Sequence, residues 1–449
     1  MIRSPALESL ESNVRLYPRA FPTVFERARG AELFAADSTR YIDFFCGAGA
    51  LNYGHNHPAI KARVAEYLAA DGIVHALDAE TVARGAFLER LRDVVLEPRG
   101  LPYKVQFPGP TGTNAVEAAL KLARKATGRS GVVAFSGSFH GMTLGSLAVT
   151  AGRAARAAAG VPLGQTTFVP YADGPSGRYD SVGHIADLLD DDFSGVDLPA
   201  AVIVEAVQMD GGVYIASDEW LRDLRALTAD RGIVLICDEV QIGCGRSGRF
   251  FSFERAGIVP DLVALSKSIG GLGLPLSMCL MRPELDLWEP GEHTGTFRSN
   301  QLALVAATAA LELWMDGGFV HGIELRARRL AEALDALQRR FPDVRFRQIG
   351  LAAGMEGPGA DPGWAQRVQA LAFEYGLVVE TCGRRDSVVK VCPPINSDLD
   401  VLAEGCEILA RVLTGAGTWP AWNSADLVRA DKPRSGVAER GMPGEVEFG

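Results

Sequence analysis

The sequence predicts an α/β protein in which a mostly parallel sheet lies between layers of helices, accompanied by a smaller α+β region. Apolar runs at 132–135, 201–204, 233–236 and 262–265 read as strands. They alternate with amphipathic helical stretches such as 217–230, and strands and helices in alternation build parallel sheets. With 449 residues, 47% of them apolar and 22% charged, the chain can bury a large core.

In chain order, residues 1–50 mix a short helix over 6–13 with strand-like pieces at 32–34 and 41–45. Residues 51–320 hold the alternating strands and helices of the large domain. A long helix over 322–340 then leads into a strand at 344–349 and a second small region ending near residue 415. From about residue 416 to 449 the texture changes to Gly, Pro and charge, the composition of a flexible tail, with Trp419 and Trp422 as candidate anchors at its start.

The chemistry gathers where strands end. Lys267 stands in Val-Ala-Leu-Ser-Lys-Ser-Ile-Gly-Gly (263–271), after an apolar strand and before a glycine turn. An amine held there can form a Schiff base with an aldehyde cofactor. Upstream, the run at 232–237 ends in Asp238, a carboxylate at a strand's C-terminal end, where open α/β sheets bind ligands. An amine that traps an aldehyde and a carboxylate that keeps a pyridine nitrogen protonated are the pair that pyridoxal 5'-phosphate requires. Thr111, Gly112 and Thr113 open a helix-forming run whose free amides and dipole would face an anion such as a phosphate. The plainer reading of that helix start is an ordinary cap, with the Thr111 or Thr113 hydroxyl as the capping group.

Eight blocks, in order, make residues 20–415 similar to the class III (ω-type) pyridoxal-phosphate-dependent aminotransferases. They are Tyr-Ile-Asp-Phe-Phe (41–45), Gly-Ala-Gly-Ala-Leu-Asn-Tyr-Gly-His-Asn-His-Pro (47–58), the run 103–118 around Pro-Gly-Pro-Thr-Gly-Thr-Asn, and Phe-His-Gly-Met-Thr-Leu-Gly (139–145). Asp-Glu-Val-Gln (238–241), Gly-Cys-Gly-Arg-Ser-Gly (243–248), Leu-Ser-Lys-Ser (265–268) and His-Thr-Gly-Thr-Phe-Arg (293–298) complete the set. Within the family the chain most resembles the diaminobutyrate:2-oxoglutarate branch. The resemblance implies fold type I, with the N- and C-terminal segments together forming the small domain.

Carried over position by position, it also implies that Lys267 binds the cofactor covalently and shuttles a proton, and that Asp238 pairs with the pyridine nitrogen. Phe139 would stack on the ring, with a core aromatic as its plainer reading; Gln241 would reach the ring hydroxyl, and His140 would support the site rather than react. Thr296 matches the threonine that crosses to the phosphate of a partner's cofactor, which implies at least a homodimer. Glu205 matches a glutamate that pairs with a C-terminal arginine when an ω-amine is bound and swings aside for 2-oxoglutarate. Here the cation of Val-Val-Lys-Val-Cys-Pro-Pro (388–394) is Lys390, a point charge without the arginine fork. Arg384 and Arg385 are nearby alternatives in a polar turn. Met209, Ile242 and Ser299 replace smaller residues and add bulk around the expected pocket.

The implied reaction moves the terminal amine between L-2,4-diaminobutyrate and 2-oxoglutarate or glutamate, with aspartate-4-semialdehyde as keto partner. Another ω-amine donor (ornithine, 4-aminobutyrate, lysine or a specialised amine) is the alternative, as is a racemase or aminomutase sharing Lys267 and Asp238. Gly243-x-Gly245-x-x-Gly248 fits a dinucleotide fingerprint, but no helix-forming run follows, and the next acid, Asp261, begins a strand instead of ending one. A regulator that senses the cofactor would need a DNA-binding module, and the acidic chain offers none.

Charge and cysteines narrow the setting. The balance of 45 basic and 55 acidic residues gives −10, with no basic run, so nucleic acid is not an expected partner. No segment approaches the roughly 20 apolar residues of a membrane span, and the N-terminus carries acids where a signal peptide is apolar. Seven scattered cysteines without a Cys-x-x-Cys pair read as free thiols of a reducing cytoplasm, with no zinc or other metal site.

Overall fold

The structure, a computed structural model, describes residues 5–174, 177–359, 361 and 363–416. The tail and its two tryptophans lie outside these residues from 417 on. Numbered in chain order, a meander of β1 (Phe25–Arg29), β2 (Glu32–Ala35) and β3 (Arg40–Asp43) comes first. The central strands β4 (Lys104–Gln106), β5 (Val132–Phe135), β6 (Thr166–Val169) and β7 (Ala201–Val204) follow. After a short hairpin of β8 (Val207–Gln208) and β9 (Tyr214–Ile215) come β10 (Val234–Asp238), β11 (Leu262–Leu265) and β12 (Met278–Met281). The last strands are β13 (Arg345–Ile349), β14 (Ala352–Glu356), β15 (Leu377–Val378), β16 (Glu380–Cys382) and β17 (Val388–Val391).

The central sheet has seven strands in the order β4-β12-β11-β10-β7-β5-β6. Only β12 runs against its neighbours, so the sheet is mostly parallel. Its strands read as unbroken apolar runs because both faces are covered. Val133, Phe135, Val204, Leu235, Cys237 and Leu265 belong to one core with Leu221 and Leu224 of the helix Asp218–Asp230. Val132, Ala134, Ile203, Ile236 and Ala264 belong to the other, with Val116 and Leu120 of the helix Gly112–Thr127. Each fully buried Val, Leu or Ile contributes about 1.5–3 kcal/mol. The parallel strands β7, β10 and β11 therefore end together, and Glu205, Asp238 and Lys267 lie at that edge.

Two smaller sheets flank this one. The meander is extended by β15, parallel to β3, so N- and C-terminal segments share a sheet. In the antiparallel sheet β13-β14-β17-β16, Glu380 lies directly across from Lys390.

Boundaries differ from the sequence expectation where side chains capture backbone groups. The helix expected over 6–13 is Pro5–Leu10, after which the Ser12 hydroxyl accepts from Val14 N–H at 3.3 Å. The strand expected over 41–45 stops at Asp43, because that carboxylate accepts from the N–H groups of Phe45 and Cys46 at 2.9 and 2.8 Å and turns the chain. The long helix runs Gly317–Arg340, starting earlier than its glycines suggest, because Asp316 caps it by accepting from Gly318 N–H. The glycines of 243–248 form turns that no α-helix follows, and Asp261 instead binds Arg225 and the N–H of Leu235, as a dinucleotide site would not. No single helix among the described residues is long and apolar enough to cross a membrane. All seven cysteines are free and buried.

Candidate active site

Lys267 begins a short 3-10 turn, Lys267–Gly270, directly beyond β11, with φ +53°, a left-handed conformation uncommon for a residue with a side chain. Such strain costs about 1–3 kcal/mol and persists where neighbours over-determine it. Here they do: the Ser266 hydroxyl donates to Leu276 O at 2.8 Å, and Ser268 donates to Gly49 O at 2.7 Å while accepting from Asn52 N–H at 3.0 Å. Burial pushes the Lys267 amine down from the ordinary lysine range, against the opposing pull of the Asp210 charge.

Asp238 is the last residue of β10 and only 5% exposed. Its Oδ1 accepts from Val240 N–H at 3.0 Å, and its Oδ2 meets Nδ1 of the buried His140 at 2.8 Å. Nε2 of His140 is buried without a partner. Phe139 is 39% exposed and lines the pocket, so it is not a core aromatic. Its backbone N–H donates to Glu205 Oε1 at 2.9 Å. Burial, and then the neighbouring Asp238 charge, push the Glu205 carboxyl well above the carboxylate range.

The helix Gly112–Thr127 points its N-terminus into the same pocket. Thr111 caps it through Asn114, whose Oδ1 accepts from the Thr111 N–H and hydroxyl at 3.1 and 2.8 Å. Thr113 does not cap; its hydroxyl shares hydrogen bonds with Thr143 at 2.6 Å and Ser146 at 2.5 Å. A Cβ at Gly112 would lie 2.7 Å from a methyl of Val240, so only glycine lets the helix start sit this close to the strand end. The resulting pocket, about 310 Å³, is lined by Thr111, Gly112, Thr113, Phe139, His140, Glu205, Asp238, Gln241 and Lys267, together with Asp210 and Ile242. A larger cleft of about 780 Å³, lined by Arg84, Trp288 and Arg298 among others, holds none of the candidate catalytic, cofactor-binding or substrate-binding residues.

The expected pairing of Glu205 with Lys390 is absent. Lys390 is 2% exposed; its ammonium donates to Asp210 Oδ1 at 2.6 Å and Gln241 Oε1 at 3.3 Å, and forms an ion pair with Glu380 Oε2 at 2.8 Å. Tyr17 in turn donates to Glu380 at 2.6 Å. Burial opposes the Lys390 charge, but the two carboxylates overcome it and raise the amine well above its usual range. Burial likewise opposes the Asp210 charge, yet the Lys390 and Lys267 amines hold that carboxyl at about 2. Arg384 and Arg385 are exposed in their turn. Gln241 also donates to Ala48 O at 3.0 Å.

Sequence reasoning missed Asp210 and Glu380. The only signal for Asp210 was an acid inside the apolar run that follows β7; Glu380 had none, since its partner comes across a sheet. Of the three substitutions expected to add bulk, only Ile242 lines the pocket. Met209 does not line it but packs in the same apolar cluster as Ile242, with Val213 and Val388, and Ser299 is buried with its hydroxyl donating to Leu77 O at 2.7 Å. Thr296 is exposed and does not line its own chain's pocket.

A family model described as aminotransferase class-III matches residues 16–413. A diaminobutyrate–2-oxoglutarate transaminase from Nocardia farcinica is 53% identical over 421 residues, spanning 91% of this chain and 95% of its own. Another, from Streptomyces anulatus, is 52% identical, with coverage of 91% and 98%. An ornithine aminotransferase from Toxoplasma gondii shares the fold with a TM-score of 0.78 at 23% identity, over 92% of this chain and 94% of that one. A second structure of that enzyme, with a TM-score of 0.77 at 23% identity over 92% and 93% of the two chains, has partial occupancy of pyridoxal phosphate at its active site. Matched along nearly its whole described length, and sharing the fold of a solved aminotransferase, the chain belongs to the class III aminotransferases.

Proposed function

We propose that this aminotransferase moves the terminal amine between L-2,4-diaminobutyrate and 2-oxoglutarate, with aspartate-4-semialdehyde and glutamate as the other pair. The observation that carries the reaction class is the convergence of Lys267, Asp238 and the N-terminus of Gly112–Thr127 on one pocket. The relatives at 52–53% identity support the donor.

The pocket fits pyridoxal 5'-phosphate: its volume suits a substituted pyridine, and the close approach that Gly112 permits leaves a helix N-terminus free for a phosphate. That cofactor, when bound, supplies the carbonyl that carries the amine and a ring that accepts electrons from the donor carbon. The residues do the rest. Asp238, fixed by His140 and Val240 N–H, would hold a proton on the ring nitrogen. Lys267, an amine whose basicity burial has lowered, takes the proton from the donor's terminal carbon and delivers it to the new position. Phe139 and Gln241 line the same pocket, where Phe139 would stack on the ring and Gln241 would reach its hydroxyl.

Thr296, exposed and away from its own pocket, supports a homodimer in which it reaches the partner's phosphate. Free, buried thiols support a cytoplasmic setting.

Visible absorbance of the purified holoenzyme tests the reading. L-2,4-Diaminobutyrate is expected to bleach the bound cofactor's band faster than ornithine, 4-aminobutyrate or lysine, and 2-oxoglutarate to restore it. Bleaching by another amine alone would reassign the donor, and bleaching without release of a keto product would point to a racemase or aminomutase.

A further inference from the structure

We infer that Ile242 sets the length of donor this pocket accepts, by walling off the end that the cofactor leaves free. This rests on the proposed donor and deepens it. Diaminobutyrate, ornithine and lysine carry the same terminal amine and the same amino-acid end. They differ only by one methylene at each step, so a pocket that prefers the first over the others needs a wall that does not give way.

The lining divides by position. Val240 lies against the helix start, its methyl 2.7 Å from where a Cβ of Gly112 would stand, so it belongs to the phosphate end. With the ring at Phe139 and Asp238, the lining left for the donor is Glu205, Val207, Asp210 and Ile242. Met142 also lines the pocket, but it is unbranched and 57% exposed, so it can move aside. Val207 and Ile242 cannot. They are 0% and 1% exposed, and their β-branched side chains have little rotamer freedom. Behind them the buried Met209, Val213, Val388 and Cys392 fill the same apolar cluster, so neither has a void to retreat into. The backbone on either side of Ile242 is pinned as well: Gln241 donates to Ala48 O at 3.0 Å, and the Gly243 N–H donates to Glu239 O at 3.0 Å. Ile242 is the larger of the two, so shortening it opens the more space. At about 310 Å³ the pocket has to hold cofactor and donor together, close to the lower end of roughly 300–1,000 Å³ for small-molecule sites. An added methylene therefore has to displace packed side chains.

The test follows the donor half-reaction by absorbance on wild-type and Ile242→Ala holoenzyme, with diaminobutyrate, ornithine and lysine in turn. One methylene more or less in an apolar pocket is worth about 10- to 200-fold. In wild type, kcat/KM should fall by a factor in that range from diaminobutyrate to ornithine. In Ile242→Ala the ratio of ornithine to diaminobutyrate should rise at least about tenfold. General damage to the fold or to cofactor binding lowers both donors alike and leaves that ratio where it was. The same comparison is read without turnover by titrating the bound cofactor's band with unreactive butyrate and pentanoate: pentanoate should bind the more weakly in wild type, and no more weakly than butyrate in Ile242→Ala. An unchanged ornithine to diaminobutyrate ratio in Ile242→Ala, or an unchanged gap between the two acids, would overturn the inference and leave the proposed donor standing. Wild-type enzyme that takes ornithine as readily as diaminobutyrate would overturn both. If Ile242→Ala does not fold, Ile242→Val, which removes a single methyl, decides: the ratio should move toward ornithine by about fourfold, and an unmoved ratio overturns the assignment.

Discussion

Two buried lysines serve one site, Lys267 lining the pocket and Lys390 behind Asp210 and Gln241, and their surroundings drive them in opposite directions. Lys267 follows a strand of the central parallel sheet; Lys390 lies within a strand of the small antiparallel sheet. Burial disfavours the charge on both. At Lys267 it prevails, and the amine is lowered toward the range where it can act as nucleophile and base. At Lys390, Asp210 and Glu380 at 2.6 and 2.8 Å outweigh it, and the amine stays charged. The difference teaches that burial alone does not make a lysine reactive. What decides is whether the fold brings carboxylates close enough to compensate.

The largest expected effect is on turnover. Lys267→Ala should lower kcat by roughly 10⁴-fold, the upper range for loss of a positioned acid–base group, and a variant that turned over at the wild-type rate would end the comparison. Stability should reverse the ranking. Lys390→Met leaves two carboxylates without their cation and should cost about 3 kcal/mol, the lower range for breaking a buried pair, read as a shift in urea midpoint. Lys267→Met should leave the midpoint within roughly 0.5 kcal/mol of wild type or raise it. Adding Asp210→Asn to Lys390→Met should recover part of the loss, since the two side chains are in contact; strict additivity would show that they do not act as a pair.

Acid should reveal the same coupling more gently. The Asp210 carboxyl is held at about 2 against an ordinary 3.8. A depressed carboxyl binds its proton less readily in the folded chain, so its stabilisation is complete above about 3.8 and is lost as pH falls toward 2. Wild type should therefore lose stability more steeply than Asp210→Asn in that window, and parallel curves would contradict the pairing. The smallest effect belongs to the exposed pair: Arg384→Ala with Arg385→Ala should change the KM for glutamate less than about threefold, as surface charges in high dielectric do. A larger change would show that this turn meets the substrate carboxylate.

Much of the fold was legible because the central strands are buried on both faces. Such strands must be continuously apolar, so 132–135, 201–204 and 262–265 appeared at their observed bounds. Boundaries set by local side-chain capture, such as the Asp43 turn and the Asp316 cap, were less legible, because one carboxylate in the right rotamer overrides the pattern around it. Lys267, Asp238, Glu205 and the Gly112 helix were readable for a related reason. Parallel strands end at one edge, so a residue's position relative to its own strand already places it there.

The sequence by itself thus determined the sheet, the edge that carries the chemistry, and the amine and carboxylate that stand on it, since each follows from local pattern and strand direction. Only the tertiary structure decided what Lys390 does. Asp210 and Glu380 are 180 and 10 residues from it along the chain, and nothing in the spacing says that a hairpin and a sheet would bring both to one ammonium while Glu205 turns to the Phe139 N–H. Charge pairing depends on distance in space, and for groups so far apart in sequence that distance exists only once the chain has folded.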